Sequence, residues 1–263
     1  MPSPTSTRRS PDMEQAGGKT VFGASVGILM LNTRFPRIPG DIGNATTWPF
    51  PVQYNRVDAA TPQNVVRGEA TDLLGPFVDA GRELVALGCD GIATNCGFLA
   101  PFQTEMAAAL GVPVAASSLL QAGLVQQTLP ADRRLGILTI SAETLGAAHL
   151  AAAGIPAGTP VVGTGAGSHF TEAILSDAAR IDFAQARADN VAAARRLVAD
   201  HPDVGAILLE CTNMVPYAAD IRAATGRPVF SIYTHLLWFQ AALAPRRFGD
   251  RIDDTRLPDG QAP

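Results

Sequence analysis

The chain is predicted to adopt an α/β fold of two similar lobes, each a mainly parallel sheet flanked by helices. Three observations predict it. Short apolar runs bounded by Gly, Pro or small polar residues alternate with longer Ala/Leu-rich stretches of helical spacing. One strand–Cys–helix unit occurs twice at a constant offset. The 263 residues suffice for two compact domains of about 130 residues each.

Each element follows from its local sequence. Residues 1–19 open on Ser, Pro and Thr with scattered charge and read as a disordered leader. Arg8-Arg9 is reminiscent of a twin-arginine export signal, but Ser10, Pro11 and Asp12 follow where an apolar segment is required. Buried strands are expected at 26–31, 91–94, 112–115, 135–140, 160–162, 205–209 and 228–232. Helices are expected at 66–86, 101–110, 119–129, 144–153, 183–199, 216–224 and 235–244. Pro101 and Pro216 suit a first helical turn, where the missing N–H costs nothing. Residues 245–263 mix Arg, Asp, Gly and Pro and are expected to strap over the surface or fray. The alternation gives two Rossmann-like lobes, 20–118 with 233–263 and 119–232, and sites in such sheets gather at the carboxyl ends of strands.

The repeat ties the halves together. At an offset of 115, Ile92 meets Ile207, Cys96 meets Cys211, Pro101 meets Pro216, and Ala108-Ala109 meets Ala223-Ala224. Gly111 with Gly226 and Pro113-Val114 with Pro228-Val229 continue the match without a gap. Upstream, Val26-Gly27-Ile28-Leu29 is similar to Leu135-Gly136-Ile137-Leu138. Each Cys therefore stands just past a strand and near a helix N-terminus, whose partial positive charge favours thiolate. If the halves pack about a pseudo-twofold axis, the two thiols approach one small molecule from opposite sides. A thiol of pKa about 8.5 serves as base when ionised and acid when protonated.

Cysteine is more often a small buried hydrophobe than a catalyst. Cys89, matched by Val204, is assigned that role. Symmetric placement assigns Cys96 and Cys211 to chemistry. A metal site is not expected: there is no CxxC, and His149, His169, His201 and His235 lie outside both Cys loops. The balance of 20 Lys+Arg against 24 Asp+Glu gives no footprint for nucleic acid, and 47% hydrophobic residues exclude a disordered chain. The apolar run 21–31 is short of the ~20 residues that span a bilayer. Three cysteines suit a reducing compartment, so a cytoplasmic protein with no membrane or nucleic-acid partner is expected.

Thr94-Asn-Cys-Gly97, Glu210-Cys-Thr-Asn213 and Leu135-Gly-Ile-Leu-Thr139 resemble the aspartate/glutamate/hydantoin racemase superfamily, over residues 21–244. The resemblance implies two like-folded lobes around a small carboxylate substrate, no cofactor, and one Cys removing a proton that the other returns. It also implies homo-oligomers by analogy, and it brings in the superfamily's arylmalonate decarboxylases, maleate isomerases and dimethylsulfoniopropionate lyases. Retention of both thiols argues against the decarboxylase branch. Cys96 and Cys211 are the catalytic candidates. Asn32, Thr33, Asn95, Gly97, Phe98, Thr144, Thr212 and Asn213 are the substrate-binding candidates.

This sequence departs from the glutamate racemases. Asn32-Thr33 stand where those have Asp-Ser, Gly97-Phe98 where they have Asn-Thr, and Thr212-Asn213 where they have Thr-His. An Asn positions but does not titrate. Glu210 is the nearby carboxylate, although strand alternation could point it away from the cleft. The loop 33–44, rich in Arg, Pro and Gly, reads either as a lid with Arg34 or Arg37 reaching a substrate carboxylate, or as an ordered surface loop. Residues 163–169 read as a flexible loop because the phosphate-loop Lys-Ser/Thr ending is missing. Racemase or epimerase is the leading expectation, with a lyase or isomerase of the same superfamily second. A bilobal binding protein or thiol sensor is third.

Overall fold

A computed structural model describes residues 17–67 and 70–246. The leader and tail expected at the two ends of the sequence fall almost wholly outside the described residues.

Two four-stranded parallel sheets carry the fold. The first comprises β1 (Val26–Leu31), β2 (Val52–Val57), β3 (Gly91–Thr94) and β4 (Val114–Ala115), in the order β2-β1-β3-β4. The second comprises β5 (Arg134–Thr139), β6 (Val161–Gly163), β7 (Val204–Leu209) and β8 (Val229–Phe230), in the order β6-β5-β7-β8. The orders are equivalent, and β3 and β7 carry the two copies of the Cys unit. Around them run α1 (Pro62–Arg67), α2 (Leu74–Leu87), α3 (Gln103–Leu110), α4 (Ala122–Gln127), α5 (Ala147–Ala152), α6 (His169–Leu175), α7 (Phe183–Asp200), α8 (Ala218–Thr225) and α9 (Ile232–Leu243).

Parallel strands covered on both faces must be apolar throughout, and all four residues of β3 are buried. On α2, Phe77, Val78, Ala80, Gly81 and Leu84 recur at helical spacing and face the core. The repeat's paired glycines have one physical use. Gly111 and Gly226 close α3 and α8 at φ 67° and 69°, a left-handed cap that costs glycine nothing. The last helix, α9, returns to the first sheet, where Ile232, Leu236 and Phe239 pack with Val26, Ile28 and Ala93.

Some elements differ from expectation. β2 escapes a search for apolar runs because it is an edge strand with Gln, Asn and Arg between apolar residues, and of its residues only Val57 is buried. The expected helix 66–86 corresponds to the end of α1, a 3-10 turn at Ala70–Leu73 and α2, with residues 68–69 outside the described residues. Pro101 and Pro216 lie inside 3-10 turns, Gly97–Phe102 and Thr212–Tyr217, that precede α3 and α8. The segment 163–169 is short and bounded: β6 ends at Gly163, and the Ser168 hydroxyl accepts from the Thr171 N–H to cap α6. Among the described residues no helix is long and apolar enough to cross a membrane.

Candidate active site

Both cysteines sit two residues past the end of a strand, Cys96 after β3 and Cys211 after β7, at the entrance to a 3-10 turn. They line one cavity between the lobes. The lobes are pinned beneath it by buried hydrogen bonds. The Thr212 hydroxyl donates to the Asn95 carbonyl at 2.6 Å, and the Ser118 hydroxyl donates to the Leu209 carbonyl at 2.7 Å.

The segment from Thr33 to Trp48 crosses from the first lobe to the second and closes the cavity. Asp177, just after α6, holds its start. The carboxylate accepts from the backbone N–H groups of Arg34 and Phe35 at 2.6 and 3.2 Å and pairs with the Arg34 guanidinium at 3.1 Å. Asp177 has φ 53°, a left-handed conformation that non-glycine residues adopt rarely. Farther on, Gly40 at φ 101° lets the chain come down on Pro216, whose Cα lies 3.0 Å from where a Cβ would stand. Arg37, not Arg34, lines the cavity. Its guanidinium is bound by Asp41 at 2.7 Å and donates to the Thr33 hydroxyl at 2.9 Å.

That network ends on a thiol. Asp41 accepts from the Asn213 side-chain N–H at 2.7 Å, which turns the Asn213 carbonyl oxygen toward Cys211. The Cys211 thiol donates to that oxygen at 3.6 Å. An oriented amide oxygen favours S–H over S⁻ at Cys211.

Electrostatics oppose the thiolate that placement near a helix N-terminus was expected to favour. Burial pushes Cys96 up, and the Glu210 charge pushes it further; the Phe98 N–H and Arg37 oppose both but do not win. Burial also raises Cys211 well above the ordinary thiol, helped by Glu210, Cys96 and Asp41 against the Asn213 N–H. Neither turn has a formed side-chain cap hydrogen bond. Both thiols are therefore neutral in the resting site.

Of the sequence-derived binding candidates, Thr33, Asn95, Gly97, Phe98, Thr212 and Asn213 line the cavity. Asn95 is committed elsewhere, since its side-chain oxygen accepts from the Leu31 N–H at 2.8 Å. Asn32 and Thr144 do not line it. The Asn32 amide turns to the Asp58 carbonyl, and Thr144 borders a separate groove with Ser141 and Gly165. Glu210, left open in the sequence, is 1% exposed and lines the cavity, because alternation ends with β7 at Leu209. Asp41 and Phe35 were not singled out from the sequence. Cys89 is away from the cavity, packed in the core and touched by the Gln53 amide at 3.3 Å. Among the described residues no group of three or more His, Cys, Asp or Glu is arranged to hold a metal ion.

Residues 59–239 match the model of the Asp/Glu/Hydantoin racemase family, and the chain belongs to that family. Among curated relatives it is 31% identical to a dimethylsulfoniopropionate lyase of Durusdinium sp. clade D, over 79% of this chain and 71% of that one. Solved structures share the fold. A mutant of arylmalonate decarboxylase in its sulfate-associated form aligns with TM-score 0.58 and 18% identity, over 86% of this chain and 97% of its own. Picrophilus torridus aspartate racemase aligns with TM-score 0.52 and 15% identity, over 86% and 96%.

Proposed function

We propose that the chain catalyses proton abstraction from a carbon beside a carboxylate, and that its reaction is elimination from a β-sulfoniopropionate. The observation that carries the first half is two thiols from opposite lobes lining one cavity with Arg37. Arg37 is the cation among the lining residues, and a planar guanidinium suits a substrate carboxylate. Cys96, nearest in charge terms to Arg37, acts as the base; Cys211, hydrogen-bonded as S–H, stays protonated on the other side. The second half is supported by sequence closeness: the lyase relative shares 31% identity, whereas the racemase and decarboxylase share fold alone.

In that reaction the Cys96 thiolate takes the α-proton, the C–H electron pair becomes the new double bond, and the dialkyl sulfide departs. Acrylate remains, and no proton donor is needed. Where the β-carbon carries no leaving group, the same electron pair takes the Cys211 proton and the stereocentre inverts. The retained second thiol is what favours this racemase reading as the alternative. Incubation with dimethylsulfoniopropionate, read by dimethyl sulfide and acrylate release, tests the proposal. Release is the expected result. No release, with racemisation of a chiral α-substituted carboxylate instead, overturns the elimination and supports the alternative.

A further inference from the structure

We propose that Asp41 is a positioning residue: it turns the Asn213 amide toward Cys211, and so makes two thiols in matched positions chemically unlike. This deepens the acid–base reading above and rests on it.

The two lobes reach across to each other in the same way. Asp41 stands ten residues past β1 and His149 ten residues past β5, and these strands hold equivalent places in the two sheets. Each side chain meets the residue two positions after the other lobe's Cys. Asp41 accepts from the Asn213 amide at 2.7 Å, and His149 packs edge-on against the Phe98 ring with centroids 5.1 Å apart. The contact is repeated but its chemistry is not. Asn213 offers an amide oxygen to the Cys211 thiol at 3.6 Å, whereas a phenyl ring at position 98 has no lone pair to offer.

Asp41 leaves that amide one orientation. The residue is 4% exposed. Its Oδ1 accepts from the Arg37 guanidinium at 2.7 Å and from the Gly43 N–H at 2.8 Å, and its Oδ2 accepts from Asn213. A carboxylate only accepts, so Asn213 must give it the NH₂ group and turn its oxygen to the sulfur. Asp41→Asn reverses this. The new amide oxygen has to stay on Arg37 and Gly43, which are both donors, so the new NH₂ group faces Asn213. The Asn213 amide then turns over, and its N–H groups face Cys211, where they favour thiolate.

Both thiols line one cavity and are similarly exposed, 9% and 8%, so the ratio of their alkylation rates reads thiolate character with access held in common. The test is iodoacetamide labelling of the full-length chain at one mildly alkaline pH, resolved by peptide mass spectrometry. Wild type, Asp41→Asn, Asn213→Ala and the double variant are compared. Wild type is expected to label faster at Cys96. Asp41→Asn should raise the Cys211 rate relative to Cys96 by ~10-fold or more, and this gain should vanish on the Asn213→Ala background, which has no amide to turn. A loosened closing segment or a lost charge would act on both backgrounds alike. Asp41→Asn combined with Asn213→Asp restores an acceptor at Cys211 and should return the slow rate. Equal labelling in wild type, an unmoved ratio in Asp41→Asn, a gain that persists undiminished without the amide, or an exchanged pair that stays fast overturns the proposal. No substrate enters the measurement. If wild type releases no acrylate, the elimination reading fails by itself, and the ratio still decides the role of Asp41.

Discussion

Cys96 and Cys211 occupy matched positions but have unlike surroundings, and the proposed base and donor roles rest on that asymmetry. Cys211 has an oriented acceptor in Asn213, whereas the Arg37 charge acts on Cys96 and favours its thiolate. Substituting Asn213 by Ala frees the Cys211 thiol and leaves Asp41 without that donor. The expected result is turnover reduced by ~10-fold or more, since a buried charge-assisted hydrogen bond is worth about 1.5–3 kcal/mol; steady-state kinetics check it. Gly97→Ala places a methyl on the Glu210 carboxylate. It is expected to destabilise by about 1–3 kcal/mol, measured by urea unfolding. The thiols were legible in the sequence because a rare residue repeats in register. The loss of titratable character at Asn213 was legible too. Glu210 was not, because its position past the last β7 pair released it from the strand alternation that reading relied on.

At the scale of elements, the closing segment governs access to the cavity. Its anchorage on the second lobe runs through Asp177, Pro216 and Asn213, residues far from it in the chain. Asp177→Gly keeps the left-handed backbone while removing the carboxylate. The variant is expected to fold, to raise KM several-fold with a smaller effect on kcat, and to expose the segment to limited proteolysis. Unchanged KM and unchanged cleavage would show that the anchor does not control closure. The strands and helices of the repeat could be read from sequence because burial on both faces forces apolar runs. β2 could not, since an edge strand with polar residues lacks that signature, although its counterpart β6 was expected. Nor could the choice between Arg34 and Arg37 be read locally: it depends on Asp177 and Asp41, and Asp177 arrives from the other lobe.

For the whole molecule, a buried carboxylate beside two thiols carries a stability consequence. The Glu210 carboxyl is raised from 4.5 to about 7 by burial. Below pH 4.5 it is protonated in both folded and unfolded chains and imposes no penalty. As pH rises toward 7 the unfolded chain ionises while the folded one stays protonated, so stability falls, and the loss is complete above 7. Glu210→Gln removes that dependence. Its stability relative to wild type is expected to increase by about 3 kcal/mol between pH 4 and pH 8, measured by denaturant unfolding at both values. A constant difference across that range would show that the carboxyl titrates normally. The two-lobed architecture itself followed from the repeat, because duplicated strand–Cys–helix units can bury their apolar faces only within similar sheets.

The claim that joins these scales is that the Cys96 thiolate takes a proton from carbon inside the cavity it shares with Cys211. The direct measurement is nuclear magnetic resonance of dimethylsulfoniopropionate incubated in deuterium oxide with wild type, Cys96→Ser and Cys211→Ser. Wild type should form acrylate. Cys96→Ser should lose both product and any α-deuteration of remaining substrate, while Cys211→Ser should keep part of the elimination. Acrylate formation that survives loss of Cys96 would contradict a thiolate base at that position.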